Sequence, residues 1–350
     1  MGNDKAKREI HLDLLRILAL LAVISVHCTG MGNTEAVPTT DFNRQILIFF
    51  DAVMTWQIPI YVMISGRFFL DPERTVSATR LVKAVRRIVI AFLVWNPVYQ
   101  LYYIVSGAYR DLNWKGILSM AVIGPYHFWF LFMIVFLYAI TPFLREIVKN
   151  RRLAEYYILL FIVFSFLTGY GESLPIVGSV VAQVVTKTNF HFALGYAGYF
   201  VLGYYLHRYP RTKHQERWLY AAGFAMFVIT VSASVYRAVL EGYDGQWYTG
   251  YLKPNLILIS SAVYVFFCNR VSRISFSPAS RKLIAELSAN SFGVYLIHAL
   301  IVEGAGMIGL SPLMVSPLLM HPVIVMLVFV LSNAFVFLLR KIPVVGKTVI

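Results

Sequence analysis

Cysteine, charge and long polar stretches are all scarce in this chain of 350 residues. Its two cysteines, Cys28 and Cys268, lie within or beside apolar runs, which excludes a disulfide framework and a zinc site of the usual spacing. We therefore expect no metal. Only 14% of the residues are charged, whereas 59% are hydrophobic. No polar stretch between the apolar runs is long enough for a soluble domain, so any site must lie inside a helical bundle or at its rims.

The positive charge of the chain does not indicate a nucleic-acid-binding protein. The net charge is +14, but the basic residues are scattered between apolar segments instead of forming one patch. This placement fits the orientation of a membrane protein, and the mean hydropathy of +0.67 fits one with several spans. The first apolar run contains Arg16 and lacks a small-residue cleavage site, so we expect no cleavable signal peptide.

The apolar runs predict ten membrane-spanning helices. Each run is long enough to cross a bilayer, and backbone groups in lipid must form hydrogen bonds within their own segment. The predicted spans are 11–30, 46–69, 88–106, 126–144, 154–170, 191–207, 217–237, 253–269, 288–308 and 321–340. We therefore predict an all-α polytopic membrane bundle that forms a single domain over 1–350.

Alternate connections between these spans are rich in Lys and Arg. The basic segments are the N-terminal tail, the loops 70–87, 145–152, 208–217 and 270–282, and the C-terminal tail. Because cytoplasmic loops carry the excess of Lys and Arg, both termini are predicted to be cytoplasmic. Two outer segments interrupt the pattern. Residues 116–125 are apolar but too short to span, and residues 171–190 form a long loop of mixed character; either one could cap a cavity from outside.

The first predicted span carries three ionisable residues, Asp13, Arg16 and His27. Each such group at membrane depth costs roughly 2.5–3.5 kcal/mol on insertion, so these groups are usually functional. Asp13 and Arg16 are three residues apart and can pair on one helix face. His27 lies three turns further on the same face, about 16 Å along the axis. The alternative is that this helix only anchors the protein in the membrane. Arg16 would then extend to the membrane interface, and His27 would form a hydrogen bond to a neighbouring helix.

A cluster of cations follows the second span. Arg67 lies at the cytoplasmic end of that span. Arg80, Lys83 and Arg87 share one face of the next helix, and Arg86 lies beside that face. Arg and Lys bind phosphates through charge-assisted hydrogen bonds, so the cluster is a candidate phosphate site. The alternatives are the ordinary cytoplasmic charge excess and binding of anionic lipid headgroups.

Several polar side chains inside or beside later spans are candidates for a substrate pocket. Ser65 and Gly66 permit close approach of a neighbouring helix. His127 and Trp129 open the fourth span at the outer rim, near the level of His27. In the ninth span Tyr295 and His298 share a face, whereas Glu303 lies too far round the helix to pair with His298. The candidates for the pocket are Ser65, His127, Trp129, Tyr295, His298 and Glu303.

These motifs, in this order, resemble the acyltransferase-3 family of bacterial integral membrane acyltransferases over nearly the whole chain. The matching elements are D-x-x-R with a later His at Asp13, Arg16 and His27; Ser65-Gly66 followed by the basic run Arg67 to Arg87; H-x-W-F-L at His127 to Leu131; and Y-L-I-H at Tyr295 to His298. One departure is Arg67, where the family commonly has an apolar residue. The chain resembles the stand-alone branch, which has no additional esterase-like domain.

The resemblance implies an O-acyltransferase of the bacterial cytoplasmic membrane. Members move acetyl or succinyl groups from acyl-CoA to sugars and envelope glycans, so acetyl-CoA is the expected donor and a glycan or lipid-linked sugar the expected acceptor. His27 would then be a general base or the carrier of an acyl group, and the sequence leaves both roles open. Arg16 would orient groups below His27, stabilise developing negative charge or bind the donor, and the basic cluster would hold the CoA phosphates.

Two alternatives remain at this stage. The same fold could act on another acceptor, such as an amine or a lipid. A protein of a different class, a transporter or glycan exporter, would use Arg16, His27 and Glu303 as a polar relay.

Overall fold

Thirteen α-helices connected by short loops make up the part of the chain that the computed structural model describes. It describes residues 8–31, 37–38, 40–74, 76–110, 112–171, 174, 176–188, 191–242, 248–342 and 346, and within them there is no β-strand. The helices are α1 (Ile10–Thr29), α2 (Phe42–Met54), α3 (Gln57–Phe69), α4 (Ala78–Ser106), α5 (Trp114–Ile123), α6 (Trp129–Lys149), α7 (Arg151–Gly169), α8 (Gly178–Thr188), α9 (His191–Arg208), α10 (Lys213–Glu241), α11 (Pro254–Asn269), α12 (Pro278–Met307) and α13 (Pro317–Leu339).

The predicted all-α polytopic bundle is confirmed. Among the described residues, nine helical segments are long and apolar enough to cross a membrane, and they coincide with nine of the ten predicted spans. The tenth predicted span, 191–207, corresponds to α9, which is not among these nine segments. Helices α2 and α3 together form one span, Phe42–Phe69, with a break at Thr55 and Trp56.

Helix α4 begins ten residues before the apolar run that predicted it. Ser77 caps its first turn, because the Ser77 hydroxyl accepts a hydrogen bond from the Arg80 N–H at 3.2 Å. Hydropathy detects only the apolar part of such a helix, whereas the spacing of Arg80, Lys83 and Arg87 indicated the helical turns ahead of residue 88. The cations at 80, 83, 86 and 87 therefore lie on one continuous helix.

The two irregular outer segments both contain helices. Residues 116–125 lie mostly in α5, of which no residue is buried. Its C-terminal turn is held to α4, because Asn96 and Gln100 donate side-chain hydrogen bonds to the carbonyls of Ala121 and Met120 at 2.6 and 3.1 Å. The segment 171–190 contains α8, and its residues 172, 173, 175, 189 and 190 lie outside the described part of the chain.

The basic loops meet at one end of the bundle. Arg145 donates hydrogen bonds to the backbone carbonyls of the 69–74 loop, namely those of Phe69, Asp71 and Arg74. Near the two termini, Arg8 donates to the Ala285 carbonyl at 2.8 Å and Arg340 pairs with Glu286 at 3.2 Å, so both reach the start of α12. The arrangement agrees with termini on one side of the membrane. Lys5, Lys7 and Lys347 of the predicted tails lie outside the described residues.

Helices α3 and α9 touch backbone to backbone. A Cβ atom added to Gly66 would lie 1.9 Å from the Phe200 carbonyl oxygen, and one added to Gly203 would lie 2.2 Å from that of Met63. Small residues allow such approach between membrane helices. The expected close contact at Ser65-Gly66 is therefore present, and α9 is the helix that makes it.

Candidate active site

The ionisable residues of α1 are joined to α12 by a serine. Asp13 is buried and accepts hydrogen bonds from Arg16 Nη1 at 3.1 Å and from Ser288 Oγ at 2.6 Å. Arg16 Nη1 also donates to Ser288 Oγ at 2.9 Å, and Arg8 Nε donates to Asp13 at 2.5 Å. The predicted Asp13–Arg16 pair is therefore formed. Because the carboxylate is satisfied from three sides, the pair holds the Arg16 guanidinium in one place.

Arg16 borders a cavity of about 460 Å³ in the bundle. The cavity wall is mainly aromatic and aliphatic, with polar groups contributed by several helices. Those polar lining residues are Arg16, Tyr61, Ser65, Arg87, Tyr138, Ser288, Ser291 and Tyr295. Such a mostly apolar space with a few convergent polar groups is typical of a ligand pocket.

Three histidines from three different elements lie together beyond the cavity. The ring centroid of His298 is 5.1 Å from that of His27 and 5.2 Å from that of His127. His127 and His298 are buried, at 2% and 0% exposure, whereas His27 is partly accessible. His127 Nδ1 and His298 Nε2 have no hydrogen-bond partner within the described residues. The expected proximity of His27 and His127 is thus present, and His298 completes a cluster of three.

Tyr295 connects the histidines with the cavity. Its side chain lines the cavity, and its hydroxyl donates a hydrogen bond to the His127 carbonyl. The ring centroid of Tyr295 lies 5.6 Å from that of His127 and 5.9 Å from that of His298. The Tyr295 carbonyl is in contact with His298 Nδ1 at 2.7 Å. The cavity that Arg16 borders therefore adjoins the imidazole cluster through Tyr295.

The deciding observation is a match to a family of known function. The model of an acyltransferase domain, that of the acyltransferase-3 family, matches residues 9–341 with no other domain. The chain belongs to the acyltransferase-3 family. Comparisons with curated proteins and with solved structures gave no match. The protein is therefore a membrane acyltransferase, and the resemblance inferred from the motifs is confirmed.

The five cations expected to bind the donor occupy different surroundings in the acyltransferase. Arg87 lines the cavity, with its guanidinium 4.9 Å from the centroid of the Phe292 ring. The Arg80 guanidinium lies 5.5 Å from the centroid of the Phe69 ring, and Phe69 lines the cavity. Lys83 and Arg86 are exposed on the same helix. Of the five cations, Arg87 therefore lines the cavity, Arg80 contacts a lining residue, and Lys83 and Arg86 lie on the same helix.

The fifth cation, Arg67, is occupied by structural ion pairs. It contacts Asp71 at 2.8 Å and Glu9 at 3.3 Å, and Arg74 contacts the same two carboxylates. Burial alone would raise the pKa of Asp71, but hydrogen bonds from Arg67 and from the Glu73 N–H, with the charges of both arginines, hold that pKa below its ordinary value. Arg67 lines a separate small cavity of about 160 Å³ instead of the main one.

Four of the expected pocket residues of the acyltransferase do not line the main cavity, namely His127, Trp129, His298 and Glu303. Trp129 is stacked near Tyr251, with ring centroids 5.9 Å apart, and its other aromatic neighbours include Tyr196. Glu303 lies between α12 and α4, where its carboxylate faces the Tyr102 hydroxyl. Ser65 and Tyr295, by contrast, line the cavity as expected.

Sequence reasoning missed three residues of the site. Ser288 holds the Asp13–Arg16 pair, Tyr61 donates a hydrogen bond to the Arg16 carbonyl at 3.2 Å, and Tyr138 lines the cavity. A serine or tyrosine in a span carries no charge and leaves no periodic signal. The one hint was the small polar run 288–291 at the start of the ninth predicted span.

Proposed function

We propose that the protein is an O-acetyltransferase of the bacterial cytoplasmic membrane that moves an acetyl group from acetyl-CoA to a hydroxyl of an envelope glycan. One observation carries this proposal: the cavity lined by Arg16 and Arg87, towards the end of the bundle where the basic loops meet, adjoins the histidine cluster through Tyr295. Acyl-CoA is made in the cytoplasm, and the basic end is the one that the distribution of Lys and Arg assigns to the cytoplasm.

The donor fits the basic end of the cavity. Arg87 lines the cavity, and Arg80, Lys83 and Arg86 are exposed on the same helix, so these four cations would bind the phosphates of CoA. The apolar walls suit the pantetheine arm. Arg16, held by Asp13 and Ser288 about 16 Å along α1 from His27, would then bind the donor part-way along the arm, while the thioester reaches the histidine cluster.

His27 is the residue proposed to handle the proton. As general base, an imidazole nitrogen of His27 takes the proton of the acceptor hydroxyl while that oxygen attacks the thioester carbon; the C–S bond breaks, and the CoA thiolate regains a proton from the imidazolium. In the alternative route the imidazole itself takes the acetyl group and passes it to the hydroxyl. Both routes leave an acetyl ester and free CoA.

The test is transfer of labelled acetyl groups from acetyl-CoA by the protein in nanodiscs. His27→Asn keeps one hydrogen-bonding group but cannot take up a proton at neutral pH, so it should retain monodispersity and acetyl-CoA binding. Its turnover should fall by roughly 10²–10⁴-fold. His214→Asn, at an exposed position on α10, is the matched control and should behave like the parent.

The outcomes separate the candidate functions. Near-parental transfer by His27→Asn would show that His27 is a packing residue, and the base would then have to be His127 or His298. A transporter that uses Arg16, His27 and Glu303 as a relay would leave the thioester of acetyl-CoA intact. Mass spectrometry of envelope glycans from cells with and without the protein identifies the natural acceptor, whether glycan, lipid or amine.

A further inference from the structure

A second group of polar side chains lies beyond His27, at the end of the bundle opposite the basic loops. Tyr102 and Tyr103 come from the last turns of α4, Tyr126 from the turn before α6, and Glu303 from the last turns of α12. The ring centroids of Tyr126 and His27 are 5.0 Å apart. We call Tyr102, Tyr103, Tyr126 and Glu303 the tyrosine–glutamate wall.

The wall is centred on the carboxylate of Glu303. The Tyr102 hydroxyl faces this carboxylate and donates a hydrogen bond to the Met307 sulfur at 3.3 Å. Tyr103 and Tyr126 lie within electrostatic range of the same carboxylate. Because these four side chains come from three elements, only the folded bundle brings them together.

Glu303 is not part of an ordinary core. Within the described residues it forms no salt bridge, and it is partly accessible. An ionisable group inside a membrane helix is costly when it has no pairing partner. The surroundings are open, because Tyr126 is 51% exposed, Met307 is 59% exposed, and α4 packs only sparsely against α12. The carboxylate is therefore accessible to a ligand that enters between these two helices.

The chemistry of the wall selects one class of ligand. A carboxylate only accepts hydrogen bonds, and phenols both donate and accept them, so the wall suits a molecule with several hydroxyl groups. Hydrogen bonds from hydroxyls to a carboxylate are charge-assisted and short. The tyrosine rings offer flat apolar faces for the C–H faces of a sugar ring. The phosphates of CoA would be repelled by Glu303, whereas the arginines of the main cavity attract them.

We propose that the tyrosine–glutamate wall is the acceptor subsite of the enzyme and holds a sugar-type polyol, so that one of its hydroxyls reaches His27. The acceptor enters between α4 and α12, and acetyl-CoA occupies the cavity on the other side of the histidine cluster. The proposal rests on the proposed acetyl transfer for its place in the reaction. It adds a separate binding site and a separate entrance for the second substrate.

Octyl β-D-glucopyranoside and 1-octanol, which share one alkyl chain, are the probes for this subsite. Both are offered with labelled acetyl-CoA to the protein in nanodiscs, below the concentration at which octyl glucoside forms micelles. Loss of one charge-assisted hydrogen bond in Glu303→Gln should raise the KM for octyl glucoside roughly ten-fold. The KM values for 1-octanol and for acetyl-CoA should not change. Tyr102→Phe, which keeps the ring and loses the hydroxyl, should give a smaller rise.

Glu286→Gln is the matched control, because Glu286 lies on the same helix at its opposite end and pairs there with Arg340. It should leave both acceptors unaffected. An unchanged KM for octyl glucoside in Glu303→Gln would overturn the subsite while leaving the acetyl transfer intact. Equal dependence of 1-octanol and octyl glucoside on Glu303 would overturn it as well, because 1-octanol has only one hydroxyl.

If the parent acetylates neither probe, that result would count against the proposed function. The subsite can then still be tested by a binding measurement. Saturable binding of tritiated octyl glucoside that weakens about ten-fold in Glu303→Gln would support the subsite on its own. Equal binding by parent and variant, or none by the parent, would overturn it. Octylammonium that binds more tightly than octyl glucoside through Glu303 would identify a cation site instead and also overturn it.

Discussion

Replacing Ser288 by alanine tests whether the serine between α1 and α12 positions the arginine of the cavity. Ser288 Oγ donates to Asp13 at 2.6 Å and accepts from Arg16 at 2.9 Å, and it is 5% exposed. Ser288→Ala removes both hydrogen bonds and leaves almost no void. Asp13 keeps its bonds from Arg8 and Arg16, so the carboxylate stays paired.

The size of the effect follows from the two lost hydrogen bonds. Interhelical side-chain bonds in membrane proteins contribute about 0.6 kcal/mol on average and at most about 1.7 kcal/mol. Bonds to charged groups in soluble proteins contribute about 1.5–3 kcal/mol. We expect Ser288→Ala to lower the free energy of unfolding by about 1–3 kcal/mol. With one anchor of Arg16 gone, kcat/KM for acetyl-CoA should fall roughly ten-fold, which corresponds to about 1.4 kcal/mol.

The assay combines unfolding in mixed detergent micelles with steady-state acetyl transfer. Ser291→Ala is the matched control, because Ser291 lines the same cavity but donates only to the Leu287 carbonyl of its own helix, at 3.3 Å. A double-mutant cycle with Asp13→Asn should show coupling between positions 13 and 288 and none between 13 and 291. If Ser288→Ala and Ser291→Ala behaved alike in stability and in kcat/KM, the positioning role of Ser288 would be refuted.

Three further outcomes are expected. Gly66→Ala should destabilise the fold by about 3 kcal/mol, the upper end of the overpacking range, because its new Cβ meets backbone instead of a movable side chain; detergent unfolding measures this. Asp71→Asn should lower the melting temperature at neutral pH but not at acid pH. The depressed folded pKa of Asp71 gives stability that is present above the unfolded value of about 3.9 and is lost as pH falls through the lower folded value. The melting temperatures of parent and variant should therefore approach each other as pH is lowered from 7 to 3. Arg87→Glu should raise the KM for acetyl-CoA about ten-fold, and the parent's KM should rise with salt.

Each of these variants has a control elsewhere in the chain. Gly306→Ala introduces a Cβ that meets nothing within 4 Å and should be neutral or stabilising. Glu146→Gln removes an exposed carboxylate from a surface pair and should not change the pH dependence of melting. Arg281→Glu reverses an exposed charge at the basic end, outside the cavity lining, and should leave the KM for acetyl-CoA unchanged. Parent-like behaviour of Gly66→Ala, Asp71→Asn or Arg87→Glu would contradict the contact that it tests.

Local geometry explains which parts of the site were predictable. Asp13 and Arg16 share a helix face by their spacing alone, and the pair forms at 3.1 Å. His27 follows on the same helix, so its depth in the membrane could also be predicted from the rise per residue of an α-helix. Apolar length and loop charge were enough for the all-α bundle and for the segregation of basic loops at one end.

Tertiary partners explain what was not predictable. Arg67 was expected to face the donor, but Glu9, which lies 58 residues earlier, pairs with it. No pattern along the chain indicates such a partner. Ser288 is likewise joined to Asp13 across 275 residues. Whether Glu303 faces the main cavity depends on how α12 is rotated relative to α4. The spacing of His298 and Glu303 fixes only their relative positions on α12, so it cannot predict that rotation.

The glycine contact between α3 and α9 also determines where this bundle can deform. Two helices that touch through their backbones at Gly66 and Gly203 have no side-chain layer between them that could slide or repack, so they form one stiff element. Helix α4 packs sparsely against α12. If the bundle widens to admit a substrate, α4 should therefore be the helix that moves. Helices α3 and α9 should keep their positions relative to each other. Distance distributions between spin labels should consequently be narrow across α3–α9 and broad across α4–α12.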